Sequence, residues 1–107
     1  MIRCVARYAI AVDDFEAVDA FGDRLMGALT LDADVLEPDL AVSMTERTLE
    51  ILLLVDTNDP LAAVERANRA IQAAFRVADH PPVAMKALMH RDLLGARTEL
   101  HTELVNA

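Results

Sequence analysis

The stretch TLEILLLVDTNDP, residues 48–60, decides the fold of this chain. Its first part is the most apolar run in the sequence and is rich in branched side chains, which predicts a buried β-strand over Thr48–Asp56. Asp59 suits the cap of a helix that begins at Pro60, because the missing proline N–H costs nothing at a first helical position. The stretch therefore predicts a buried strand that leads directly into a helix ending near Ala78.

Two amphipathic helices are predicted, each with an apolar stripe whose members recur every three or four residues. The stripe of the helix after Pro60 comprises Leu61, Val64, Asn68, Ile71, Phe75 and Ala78. An earlier helix is predicted over Phe15–Leu29, directly after the helix-start residues Asp13 and Asp14. Its stripe comprises Phe15, Val18, Phe21, Leu25 and Leu29. Each helix thus has one face suited to cover a sheet.

Alternation of apolar and polar residues predicts three more strands, over 2–12, 40–45 and 97–105. The turn-rich segment Asp32–Asp39 precedes the second strand, and Glu46–Arg47 is read as a short turn into the third. The segment Val83–His90 fits a short helix or an extended strand equally well. For the last strand, two threonines and Gly95 favour strand over helix.

The order strand, helix, strand, strand, helix, strand is the split βαβ pattern of ferredoxin-like folds. We expect one α+β domain over residues 1–107, with a four-stranded antiparallel sheet and both helices on one sheet face. The resemblance is to a fold that many unrelated activities share, so it assigns no residue a role.

Charge and cysteine content narrow the classes of partner and the expected compartment. The net charge is −8, and residues 1–60 hold 13 acidic but only 4 basic side chains. Nucleic acids and anionic membranes reward basic patches, so neither is an expected partner. The sequence has a single cysteine and no apolar run near the roughly 20 residues of a spanning helix. It begins without a signal-peptide pattern, and a cytoplasmic location is expected.

The sheet face without helices is the candidate functional surface. Alternation assigns it Arg3, Val5, Arg7 and Ala9, then Ala41, Ser43 and Thr45, then Glu50, Leu52 and Leu54, and finally Arg97, Glu99 and His101. Two interpretations stay open. This face is either the seam of a homodimer or larger homo-oligomer with structural ion pairs, or a site where Arg3, Arg7, Arg97 and His101 bind a small anionic ligand. Glu50 and Glu99 are available to pair with the arginines, which favours the structural ion pairs.

Motifs for catalysis are scarce. His80, His90 and His101 lack metal-ligand spacing, no cofactor motif is present, and Cys4 is expected to be buried and inert. We therefore expect a non-catalytic binding, regulatory or assembly domain, and both a small anionic ligand and a protein stay open as its partner. The alternative is a small dimeric α+β-barrel enzyme with a pocket between sheet and helices. A cavity lined by Tyr8 together with an arginine or a histidine would favour that enzyme.

Overall fold

The computed structural model describes residues 1–80 and 89–105, and it contains the predicted antiparallel sheet with two long helices. Its elements are β1 (Ile2–Ile10), α1 (Phe15–Thr30), β2 (Leu36–Ser43), β3 (Thr48–Val55), α2 (Pro60–Ala78), α3 (His90–Leu93) and β4 (Leu94–Leu104). The strand order is β2-β3-β1-β4, with every neighbouring pair antiparallel. The ferredoxin-like α+β prediction is confirmed, including the position of β1 between β3 and β4.

Both long helices begin at the predicted caps. The Asp14 side chain accepts a hydrogen bond from the Ala17 N–H at 3.1 Å, and Asp59 accepts one from the Leu61 N–H at 3.1 Å. Pro60 occupies the start of α2, where its lack of an N–H costs nothing. These caps fix where the chain leaves the sheet, and the helices then cover the apolar face formed by β1 and β3.

The apolar stripe predicted for α2 is wrong at its first residue. Leu61 is 67% exposed, whereas four alanines on the same helix are buried: Ala63, Ala67, Ala70 and Ala74. Ile71 and Phe75 are buried as predicted. Alanine lets a helix pack closely against the elements beside it. The buried face of α2 therefore consists mostly of small side chains and less of the large, periodically spaced ones.

Strand β2 begins earlier and ends earlier than predicted. Its pairing with β3 shifts between Leu36 and Asp39, which makes a bulge that contains Pro38. Proline is tolerated there because β2 is an edge strand and the bulge needs no ladder N–H. Glu37 lies in this bulge with a positive φ of 46°. Thr45 falls after the strand, in the turn, so its predicted place on the open sheet face is wrong.

The β2–β3 hairpin is confirmed, but its loop is longer than two residues. Ser43 pairs with Thr48, so residues 44–47 form the connection. Arg47 adopts a positive φ of 56°, and its carbonyl accepts the Ile10 N–H at 2.8 Å. Its guanidinium pairs with Asp13. The loop is therefore held to the end of β1 by a backbone bond and an ion pair.

The predicted fourth strand is confirmed and begins at Leu94, directly after the short helix α3. The segment Val83–His90, for which the sequence predicts either a short helix or an extended strand, lies mostly outside the described residues. Its last residue, His90, begins α3. Within residues 1–80 and 89–105, neither α1 nor α2 has the length and apolar character needed to cross a bilayer.

Candidate functional site

We call the sheet surface that α1 and α2 leave uncovered the open face. The register assigns it Arg3, Val5, Arg7, Asp39, Ala41, Ser43, Glu50, Leu52, Leu54, Glu99, His101 and Glu103. Val5 lies at its centre, paired with Leu52 on one side and His101 on the other. Val5 and Leu54 are only 5% and 8% exposed, although no helix covers them. The open face is therefore a mixed surface with an apolar centre and charged flanks.

Arg7 is fully engaged in ion pairs within its own sheet. It bridges Glu50 on β3, at 2.7 Å from Nη2 to Oε2, and Glu99 on β4, at 2.8 Å from Nη1 to Oε2. Its Nε also donates to Glu50 at 3.1 Å. The hydrogen bond that Arg7 donates to Glu50, followed by the charge of Glu99, raises the pKa of Arg7. This geometry matches the structural ion-pair interpretation, and ligand binding by Arg7 stays a prediction.

His101 extends this charged network along β4. Its Nδ1 lies 3.0 Å from Glu99 Oε1, and its Nε2 lies 3.5 Å from Glu103 Oε1. Glu99, His101 and Glu103 are alternate residues of β4, so their side chains lie next to one another on the open face. An anionic ligand at His101 has to compete with two carboxylates that already contact the ring.

Arg3 differs from Arg7, because it makes no hydrogen bond or ion pair with the described residues. It lines a concavity of about 340 Å³ at the β2 bulge, together with Glu37, Asp39, Leu52 and Leu54. Arg3 is thus the arginine of the open face whose guanidinium is available to a further molecule.

Arg97 lies on the opposite side of the sheet from the predicted one. Arg7 pairs with Glu99 but the next residue, Tyr8, pairs with Arg97, so Thr98 is an additional residue in β4. One extra residue turns the side chain on its N-terminal side, that of Arg97, to the other face of the sheet. The Arg97 Nη1 donates to Asn68 Oδ1 on α2 at 2.6 Å. Its predicted grouping with Arg3 and Arg7 is therefore wrong.

A polar cluster that the sequence analysis missed lies on the helix-covered side. The Asp79 carboxylate, with a side chain only 5% exposed, accepts the backbone N–H of His90 at 2.7 Å and its Nδ1 at 2.5 Å. The His90 ring stacks on Phe75 with centroids 4.7 Å apart. Neither the periodicity of the sequence nor its composition predicts this contact, because the two residues are eleven positions apart and belong to different elements.

Tyr8 completes this side of the sheet. Its ring meets the edge of Phe75 at a centroid separation of 5.4 Å, and only 6% of the residue is exposed. Burial raises the pKa of the Tyr8 phenol, and the neighbouring Arg97 acts in the opposite direction. Tyr8 and His90 therefore both contact Phe75, and Arg97 lies next to Tyr8 while it donates to Asn68.

Chemically, the Asp79–His90 pair can hold and accept a proton. A carboxylate that accepts from Nδ1–H orients the imidazole and leaves Nε2 as the basic atom. Cys4 offers no such chemistry: it is 1% exposed, and burial raises the pKa of its thiol. Among residues 1–80 and 89–105, no three histidine, cysteine, aspartate or glutamate side chains converge as a metal site requires.

Comparison with known proteins supports the fold. No protein-family model matches this chain, and no curated protein matches it either. Among solved structures it is similar to the crystal structure of a "putative Antibiotic biosynthesis monooxygenase from Chloroflexus aurantiacus J-10-fl". The TM-score is 0.60 over 99% of this chain and 93% of the other, with 14% sequence identity. At this identity the likeness establishes the architecture that the strand order already indicated.

Proposed function

We propose that this chain is a non-catalytic binding and assembly module that forms a homodimer through its open face. The observation that carries the proposal is the Arg7 network, whose charges pair with one another across β3, β1 and β4. The Arg7, Glu50 and Glu99 side chains can leave water as a paired network, which avoids the large penalty of a lone charge at this part of a buried interface. The half-buried Leu52 and the 39% exposed Leu36 supply apolar contact beside it.

A second copy of the chain is the partner that this surface suits best. The open face carries acidic and basic groups together, so it complements itself across a two-fold axis, where the same patch serves both subunits. The acid-rich first half of the chain opposes a nucleic acid as partner. The single cysteine supports a cytoplasmic location as part of this proposal.

The mass in solution tests this proposal. We expect light scattering on size-exclusion fractions to give twice the chain mass of 11.7 kDa at high micromolar concentration. Leu52→Arg places a charge at the centre of the open face and should give the single-chain mass with an unchanged circular dichroism spectrum. Val77→Arg is the matched control, because Val77 is 60% exposed on α2, away from this face. A wild-type protein of single-chain mass contradicts the proposal.

A second candidate is the small α+β-barrel enzyme, and the Asp79–His90 pair beside Tyr8 and Arg97 specifically favours it. The similar crystal structure is named for a monooxygenase, which fits this candidate. In this candidate mechanism, His90 Nε2 of the present chain accepts a proton from a weakly acidic substrate. Asp79 positions the imidazole, and Arg97 stabilises the negative charge that develops on the substrate.

Oxygen uptake with a series of phenols and hydroquinones tests the enzyme candidate. Loss of a positioned base typically lowers a rate by about 10²- to 10⁴-fold, so His90→Ala should lose the uptake. His80→Ala is the control, since His80 is exposed and its ring contacts the Arg76 carbonyl on the surface of α2. Absence of uptake with every compound, or uptake that survives His90→Ala, rules this candidate out.

A further inference from the structure

The concavity around Arg3 is lined by basic, acidic and apolar residues, and a simple ion would interact favourably with only one of these kinds. Its lining residues include one arginine, two acidic residues and two leucines of the open face: Arg3, Glu37, Asp39, Leu52 and Leu54. We propose that this concavity binds a zwitterionic α-amino acid with an apolar side chain. The inference deepens the proposed binding function, on which it rests, by naming the class of ligand and the residues that hold it.

Arg3 is the group that holds the ligand carboxylate. Its guanidinium makes no ion pair in the described part of the chain, unlike that of Arg7, which lies two residues away on the same face. A guanidinium presents parallel N–H donors that match both oxygens of a carboxylate. Because β1 is a central strand, paired on both sides, its backbone holds Arg3 in a fixed position.

Glu37 and Asp39 are the groups that hold the ligand ammonium. The β2 bulge places both at the rim of the concavity, on either side of Pro38. Asp39 uses Oδ1 to accept the Leu40 N–H at 2.9 Å, which leaves Oδ2 available. Bulges commonly redirect side chains in this way, and a glutamate with positive φ is a costly conformation that the surrounding structure must maintain.

The balance of charge and apolar surface selects a zwitterion over a plain anion. Two carboxylates beside Arg3 repel an anion, whereas an ammonium group on the same ligand reverses that repulsion into attraction. Leu52 and Leu54 then contact an apolar side chain. The volume of about 340 Å³ lies at the lower end of the range for small-molecule sites, about 300–1,000 Å³.

Three isosteric probes test the proposal by calorimetry and thermal shift: L-leucine, 4-methylpentanoate, which lacks the ammonium, and 3-methylbutylamine, which lacks the carboxylate. We expect L-leucine to bind at least 10-fold more tightly than either analogue and to raise the Tm in a saturable manner. Arg3→Met and Glu37→Gln should each weaken L-leucine binding at least 10-fold. Arg69→Met is the matched control on the exposed surface of α2 and should leave the affinity unchanged.

Two results overturn the proposal. The first is absence of L-leucine binding to the wild-type protein, and the second is equal binding of L-leucine and 4-methylpentanoate, which indicates a simple anion site. Light scattering on the same samples separates this failure from failure of the proposed dimer. A dimer that binds no L-leucine leaves the assembly standing and removes the ligand, and a monomer that binds L-leucine does the reverse.

Discussion

The two faces of the same sheet are built on opposite principles. Leu53 points to the helices and is 1% exposed, whereas its neighbour Leu52 points to the open face and is half-buried. On the covered face, apolar side chains pack against α1 and α2. On the open face, an ion-pair network and a concavity surround a small apolar centre. One face therefore supplies the stability of the chain, and the other is left for recognition.

The largest effect is expected where this contrast is sharpest, at Leu53 and Leu52. Leu53→Ala removes a fully buried side chain and should lower the free energy of unfolding by about 2–5 kcal/mol. Leu52→Ala should cost clearly less per chain and make the unfolding midpoint less dependent on protein concentration, because it acts on the interface. Urea denaturation at two protein concentrations measures both. Equal losses at low concentration would mean that the faces do not differ as described.

Asp79 tests the polar part of the covered side. Asp79→Asn keeps the shape of the side chain but removes the charge that accepts both His90 donors, and we expect a loss of about 1–3 kcal/mol. Asp19→Asn on the exposed surface of α1 is the control. If the double variant Asp79→Asn, His90→Phe loses less stability than the two single variants lose together, the coupling is confirmed; a loss equal to that sum contradicts it.

The covered face contains two buried groups that lose a proton at alkaline pH, and the stability of the chain should depend on pH there. Burial raises the pKa of the Cys4 thiol and the Tyr8 phenol, both on the covered face. The unfolded chain then releases these protons first, so the free energy of unfolding should decrease above about pH 9. Tyr8→Phe keeps the ring contact with Phe75 and removes the phenol, which should flatten the decrease. Urea titrations between pH 7 and pH 10.5 measure it, and an unchanged slope in the variant argues against the phenol as its source.

The smallest effect on the stability of the single chain, measured at a protein concentration too low for a dimer to form, is expected on the open face at Arg7. Arg7→Met removes the cation that Glu50 and Glu99 share and should lower the Tm slightly. The difference from wild type should shrink at 1 M NaCl, since salt screens the remaining carboxylates. Arg69→Met serves as the control in the same melting experiment. A difference that grows with salt is incompatible with an electrostatic origin.

Much of the fold was predictable because its signals are local. The caps at Asp14 and Asp59 and the alternation in β1 and β3 each depend on a few neighbouring residues, and the structure confirms them. The pairing of Arg7 with Glu50 and Glu99 was also predictable, because strand order and alternation together specify which side chains meet. The buried alanines of α2 were not, since alanine fits an exposed and a buried helix face equally well.

The sequence by itself determined the elements, their order and the charges available to the open face. Only the tertiary structure decided that Arg97 turns to the helices and that Arg3, beside the β2 bulge, makes no ion pair with residues 1–80 and 89–105. The physical reason is that one inserted residue in a strand reverses the neighbouring side chains as far as the next irregularity, and nothing in the local pattern marks Thr98. The contact between Asp79 and His90 likewise exists because packing brings the end of α2 against α3, and no local propensity records that meeting.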